Sequence, residues 1–343
     1  MTSVPATTVP TTTDELFDPA WLVAAFDDLA DDDRVLRVER TDSSRTRAEK
    51  LRFAVTIQGR DGVRVQYYCT KAYLDGSSST GIVSEARFYR DLAPRLDVRR
   101  PRVPYVAVDG TDGAIIVMED VVAAGGLFMN PHRTFPVDVA RDSVSQLAHL
   151  HASTWGLDQV DDVGWLGKGP MSIVAWGADR LQALLDDGRA EGLPAALRDG
   201  QLLHGALEIQ AARPDTCVLH GDPHTGNLYL DADGRACFFD WEVVQRGNWS
   251  QDVAYHLATV LSTEDRRAHE QELVHGYLSE LADLGGPAID AEEGWELYRR
   301  SFAYGYLLWV ITVIRGRDEV LAHMPRLAAA IDDHDMYHLL GIA

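Results

Sequence analysis

The chain has 343 residues, 46% hydrophobic and 25% charged. That is the composition of a globular protein, long enough for one large fold or two lobes, and it excludes a disordered or fibrous chain. Against 32 Lys and Arg stand 53 Asp and Glu, a formal charge of −21, a field that repels phosphate backbones and anionic membrane surfaces, so neither nucleic acid nor a membrane is expected as a partner. The three cysteines, Cys69, Cys217 and Cys237, lack metal-ligand spacing, and two sit in apolar runs, which points to a reducing, cytoplasmic setting.

Residues 1–13, rich in Thr, Pro and Val, read as a disordered lead with no basic or apolar leader pattern. Asp14 is expected to cap a helix running through Leu16, Trp21, Leu22 and Phe26. Strands are predicted at Val35–Val38, Leu51–Ile57 and Val63–Tyr73, with a turn over residues 58–62. A helix follows over Gly81–Leu92, then strands at Tyr105–Val108 and Ala114–Met118 flanking the turn at 109–113. Beyond Met118 the periodicity turns helical, over Val139–Trp155 and near 178–188, 195–212, 251–283 and 291–315. The exception is 217–240, where a strand, a polar loop and a hairpin (Leu228–Leu230 and Ala236–Phe239) interrupt the helices.

The polar residues cluster in that exception, as His220-Gly221-Asp222-Pro223-His224-Thr225-Gly226-Asn227, with Asp240-Trp241 after the hairpin. Phosphoryl transfer needs a carboxylate that orients and deprotonates an attacking hydroxyl, and oxygen ligands that hold Mg²⁺ against the phosphates. Asp222, Asn227 and Asp240 are residues of those types, and the hairpin returns the chain after Asn227.

The run HGDPHTGN with the later Asp240-Trp241 resembles the aminoglycoside phosphotransferase and choline kinase superfamily. Two further stretches look alike, Leu150-His151-Ala152 with Trp155-Gly156, and 247–258. The resemblance implies a bilobal, protein-kinase-like α+β fold: a small antiparallel β lobe with one helix (14–118), a hinge (119–121), and a larger, mainly helical lobe (122–343). It implies an ATP- and Mg²⁺-dependent kinase acting on a hydroxyl of a small organic molecule. Asp222 would then be the catalytic base and Asn227 and Asp240 the metal ligands, with His220 and Asp252 fixing the loop by hydrogen bonds. Lys71 would be the cation on the ATP phosphates with Glu85 as its ion-pair partner, and the backbone of Glu119 and Val121 would meet adenine. Glu119-Asp120-Val121 and the run from Asp252 to Leu257 look closest to the ecdysteroid-kinase-like branch. One departure stands out. The first hairpin, Thr41 to Arg47, carries no glycine, which leaves Ser43, Ser44 and their amides as the candidate phosphate cradle.

Two other readings compete. His220, Asp222 and His224 resemble a hydrolase metal cluster, but they leave Asn227 and Asp240 unexplained. A non-catalytic nucleotide-binding module fits the missing glycines, but not the presence of all three acidic and amide residues. The acceptor is not legible. Trp249, Trp295, Tyr304 and Trp309 are candidates for an apolar pocket, whereas the acidic charge favours a cationic acceptor.

Overall fold

The structure, a computed structural model, describes residues 9–30, 32–45, 49–72, 80–109, 113–130, 132–160, 163–312 and 316–343. Expectations resting on residues 1–8, 46–48, 73, 110–112 and 313–315 lie outside them. The chain divides into two compact units. The first comprises residues up to 94, with 100–127 and 240–242; the second comprises 95–99, 128–239 and 243–343.

In the first unit the predicted single helix is two. α1 (Thr13–Leu16) is capped by Thr12 rather than Asp14, and α2 (Pro19–Ala25) restarts after Asp18, whose carboxylate accepts the Ala20 and Trp21 N–H groups. Pro19 explains the break, since a proline fits the first position of a new helix and cannot continue an old one. Five antiparallel strands follow: β1 (Arg34–Arg45), β2 (Glu49–Gly59), β3 (Gly62–Ala72), β4 (Tyr105–Asp109) and β5 (Gly113–Glu119), in the order β1-β2-β3-β5-β4. Strand alternation sorts the side chains. Leu51, Phe53, Val55 and Ile57 of β2 share a face with Tyr68 of β3 and Ile115 and Val117 of β5, and form one core with Leu16, Leu22 and Phe26. Lys71, one residue out of step, points to the other face, opposite Ile116. The helix predicted at 81–92 changes pitch: α3 (Thr80–Arg87) is α-helical and Phe88–Leu92 is a π turn.

A two-residue strand, β6 (Leu127–Phe128), straddles the boundary between the units. The second unit is helical apart from β7 (Cys217–Leu219), the hairpin β8 (Leu228–Leu230) and β9 (Ala236–Phe238), and β10 (Gln245–Gly247), which pairs with β7 and is absent from the sequence reading. Its helices are α4 (Val137–Ser153), α5 (Ala178–Leu185), α6 (Gly200–Ala211), α7 (Trp249–Val260), α8 (Thr263–Asp283), α9 (Ala291–Arg299), α10 (Phe302–Ile311), α11 (Arg317–Asp333) and α12 (Met336–Leu339). The predicted 251–283 and 291–315 are each two helices, the first pair parted at Ser262, which caps α8 by accepting the Asp265 N–H. α11 is not among the predicted helices, and Pro325 inside it is the reason its pattern reads as broken. Every residue of α7 is buried, as are Phe302–Val310 of α10, so these two form the centre of the unit. Trp249, Tyr304 and Trp309 belong to that core, at 1%, 0% and 2% exposure, rather than to an open pocket. Among the described residues no helix is long and apolar enough to cross a membrane.

Candidate active site

In the first unit, β3 carries Lys71 and α3 carries Glu85, and the Lys71 Nζ lies 2.5 Å from Glu85 Oε2. The three-residue return of the chain to this unit adds Asp240 Oδ1 at 2.9 Å and Glu242 Oε1 at 2.7 Å. Burial alone would drive Lys71 toward its neutral form, but Asp240, Glu85 and Glu242 outweigh it and hold the ammonium charged well above its usual range. Burial pushes the Glu85 carboxyl up to about 7, with Lys71 pulling the other way. One ammonium thus faces three carboxylates whose oxygens lie within 4.8 Å of one another, a hard-oxygen donor set with excess negative charge that fits a divalent cation.

Trp241 explains how Asp240 and Glu242 both reach Lys71. Its indole is fully buried and stacks on Phe88 of the π turn, centroids 3.9 Å apart and 11° from parallel. Anchoring the middle residue fixes its neighbours on either side. Asp240 takes a left-handed backbone, φ +64°, a conformation costly enough in a non-glycine residue that the surroundings must impose it.

At the first unit's other candidates, the Val121 N–H is buried and makes no hydrogen bond among the described residues, while its carbonyl accepts from the Gly126 N–H. That unspent donor fits an acceptor on a nucleobase. The Glu119 N–H is spent on the Arg102 carbonyl, and its side chain accepts the Arg102 N–H. Asp120, between them, pairs with Arg52 and accepts the Val122 and Ala123 N–H groups, which fixes the course of the segment. Ser43 and Ser44 belong to β1, paired with Leu51 and Lys50, and the Ser43 N–H is taken by Asp42. The expected loop at 41–45 is therefore strand.

In the second unit, the loop after β7 is pinned at successive residues. Asp252 of α7, fully buried, accepts the His220 and Gly221 N–H groups at 2.7 and 3.0 Å. His220 Nδ1 accepts the Asp222 N–H, so its Nε2–H is the donor to the Phe239 carbonyl. Gly221 has φ +84°, and a Cβ there would lie 2.2 Å from the Val243 carbonyl, so only glycine fits. Tyr304 of α10 donates to the Gly221 carbonyl, and Gln245 donates to the Tyr304 hydroxyl.

Asp222 itself accepts at both oxygens, from the Tyr255 hydroxyl at 2.8 Å and from Asn227 Nδ2 at 3.0 Å. Asn227 Nδ2 also donates to the Asp222 carbonyl, which turns its amide oxygen away as a potential metal ligand. His256 Nδ1–H donates to the Pro223 carbonyl, and burial pushes its pKa down to about 4, so it is neutral there. Of the hydrolase-like trio, His224 Nε2 lies 3.6 Å from Asp222 Oδ2, but His220 does not join them: both its nitrogens are spent, and His224 Nδ1 accepts the Gly226 N–H. Neither histidine belongs to the metal-competent group found among the described residues.

Residues 30–292 match the family model described as APH, phosphotransferase enzyme family. The chain belongs to this phosphotransferase family. Two solved structures carry the same α+β fold. An ethanolamine kinase of Plasmodium vivax is 14% identical over 85% of this chain and 81% of its own, with a TM-score of 0.51. An aminoglycoside 2'-phosphotransferase in complex with GDP is 11% identical over 87% and 93%, with a TM-score of 0.50. At such identities the likeness shows the fold. No curated protein matches the chain in sequence.

Sequence reasoning about this phosphotransferase missed Glu242, Tyr255, Gln245 and His256, and read Tyr304 as a pocket residue rather than a support of the loop. Two of them had a signal. Tyr255 and His256 lie three and four residues after Asp252 and so share its helical face, whereas Glu242 follows Asp240 by two with a buried tryptophan between.

Proposed function

We propose that the chain is an ATP- and Mg²⁺-dependent kinase that transfers the γ-phosphoryl group to a hydroxyl of a small organic molecule. The observation that carries this reading is Asp222, a carboxylate held at both oxygens in a loop whose Asn227 spends its amide N–H groups on Asp222 and so leaves its amide oxygen for a ligand. Asp222 orients the acceptor hydroxyl and takes its proton as the new P–O bond forms and the bond to the departing ADP oxygen breaks. Lys71 holds the non-transferred phosphates, and the Val121 N–H receives the nucleobase. Asn227 Oδ1 and the Asp240 carboxylate are the groups that would hold Mg²⁺, with Glu242 and Glu85 adding negative charge beside Asp240. Bound Mg²⁺ supplies neutralisation of charge on the phosphate oxygens. Within the family we place the chain nearest the ecdysteroid-kinase-like branch, on Glu119-Asp120-Val121 and the run from Asp252 to Leu257.

The test is Mg²⁺-dependent ADP release from ATP, with water alone and with a panel of aminoglycosides, choline and ethanolamine, sugars, sterols and hydroxyacyl compounds. Asp222→Asn serves as the blank. A signal that depends on one compound class and vanishes in Asp222→Asn, with ATP binding retained, is expected. Full activity in that variant overturns the role of Asp222, and absence of ATP binding by the wild type overturns the kinase reading.

A further inference from the structure

We infer that Tyr255 is a positioning residue for this phosphoryl transfer, its hydroxyl holding the Asp222 carboxylate in the rotation that presents an oxygen lone pair to the acceptor; this rests on the kinase reading above. A carboxylate bonded at one oxygen still turns about its Cβ–Cγ bond, because that torsion has only broad wells. Asp222 is bonded at two. Asn227 belongs to the same short loop, whereas Tyr255 stands on α7, buried along its whole length, and ties the carboxylate to a second element.

α7 meets the loop as a register. Asp252, Tyr255 and His256 occupy positions i, i+3 and i+4 of one helical face, and they bind His220 and Gly221, then Asp222, then Pro223. Four consecutive loop residues are therefore set by three side chains of one rigid helix. Asp252 and His256 both bind backbone groups, in three contacts that serve the loop's course. The Tyr255 contact alone goes to the acidic side chain, and it is the one contact of the four that a main-chain reason does not explain.

A second observation shows that the ring's place is built in. Gly305 sits inside α10, where glycine is among the poorest helix formers. A Cβ at 305 would lie 2.5 Å from Tyr255 Cδ2 and 2.8 Å from Cγ. The helix accepts glycine where the tyrosine ring passes, and the neighbouring Tyr304 meets that ring edge-on at 6.3 Å.

The experiment compares wild type, Tyr255→Phe, Gly305→Ala and Asp222→Asn by Mg²⁺·ATP turnover, with water as acceptor and with the panel compound that gives the largest signal, alongside thermal midpoints. Phenylalanine keeps the ring and its packing and removes only the hydroxyl. The expected result for Tyr255→Phe is a kcat lowered roughly tenfold to a hundredfold, with KM for Mg²⁺·ATP and for the acceptor within about twofold of wild type. The thermal midpoint stays within a few degrees. Gly305→Ala, which leaves hydroxyl and carboxylate in place but displaces the ring, lowers kcat in the same sense by a smaller factor. Wild-type kcat in Tyr255→Phe while Asp222→Asn is inactive overturns the positioning role and leaves the kinase reading standing. A fall in kcat matched by a rise in both KM values and a collapse of the midpoint overturns it in favour of a structural role. No ADP release by the wild type under any condition removes the kinase reading and this inference together.

Discussion

The two candidate clusters, one in each unit, are built on opposite principles. Around Lys71 the charges do not balance: one ammonium meets the carboxylates of Glu85, Asp240 and Glu242, all but Asp240 and Glu242 deeply buried. Around Asp222 the named groups bond one another, with backbone N–H groups on Asp252, the His220 ring nitrogens on backbone groups, and both carboxylate oxygens occupied. An excess of partly buried negative charge is costly unless something arrives to neutralise it, so the first cluster is arranged to receive a charged ligand. A connected hydrogen-bond network holds its members in place, so the second is arranged to hold geometry. Substitutions should therefore change ligand binding in the first and turnover or folding in the second.

The sharpest way to break that contrast is Lys71→Met, which leaves three carboxylates without their cation. It is expected to lower kcat/KM for ATP by roughly a hundredfold to a thousandfold, the scale of losing one charged contact to a reacting phosphate, with the thermal midpoint read in parallel to separate binding from folding. Asp252→Ala should do the reverse, exposing the His220 and Gly221 N–H groups to a buried site without acceptors; about 3 kcal/mol of unfolding free energy should be lost in urea titration, with turnover falling alongside. If Asp252→Ala proved as stable as wild type, the second cluster would not be the rigid frame described.

The pH dependence of stability tests the same frame. His256 is neutral in the fold because burial outweighs its bond to Pro223, with a folded pKa of about 4 against an ordinary 6.5. A depressed value means that its contribution is complete above pH 6.5 and is lost as pH falls toward 4. The loss amounts to on the order of 3 kcal/mol at still lower pH. His256→Gln should flatten that part of the stability–pH curve. The smallest effect is expected from Glu242→Gln, which removes one of three negative charges without changing shape: roughly tenfold more Mg²⁺ needed for half-maximal ADP release, with kcat at saturating Mg²⁺ within about twofold. An unchanged Mg²⁺ requirement would show that Glu242 serves Lys71 alone.

Much of this architecture is written locally. Alternation in β2, β3 and β5, the turn-rich hairpins and the long amphipathic α4 all announce themselves at their own period. Where the reading failed, a neighbour or a cap decided. Pro19 and Ser262 each cut one predicted helix into two, and β1 runs on through Thr41–Arg45 because β2 offers a partner as far as Glu49. A three-residue strand such as β10 has no period to detect and exists only because β7 lies beside it.

The sequence alone determined the family, the loop from His220 to Asn227, and the pairing of residue types that phosphoryl transfer needs, because those residues stand close enough along the chain for spacing to carry meaning. Tertiary structure alone decided which side chains complete each cluster. Glu242 joins Lys71 because Trp241 stacks on Phe88, more than 150 positions away in the chain. Tyr255 reaches Asp222 because α7 turns one face to the loop and Gly305 of α10 leaves room for its ring. Spacing along a chain records what a residue can do, but only packing fixes what it touches.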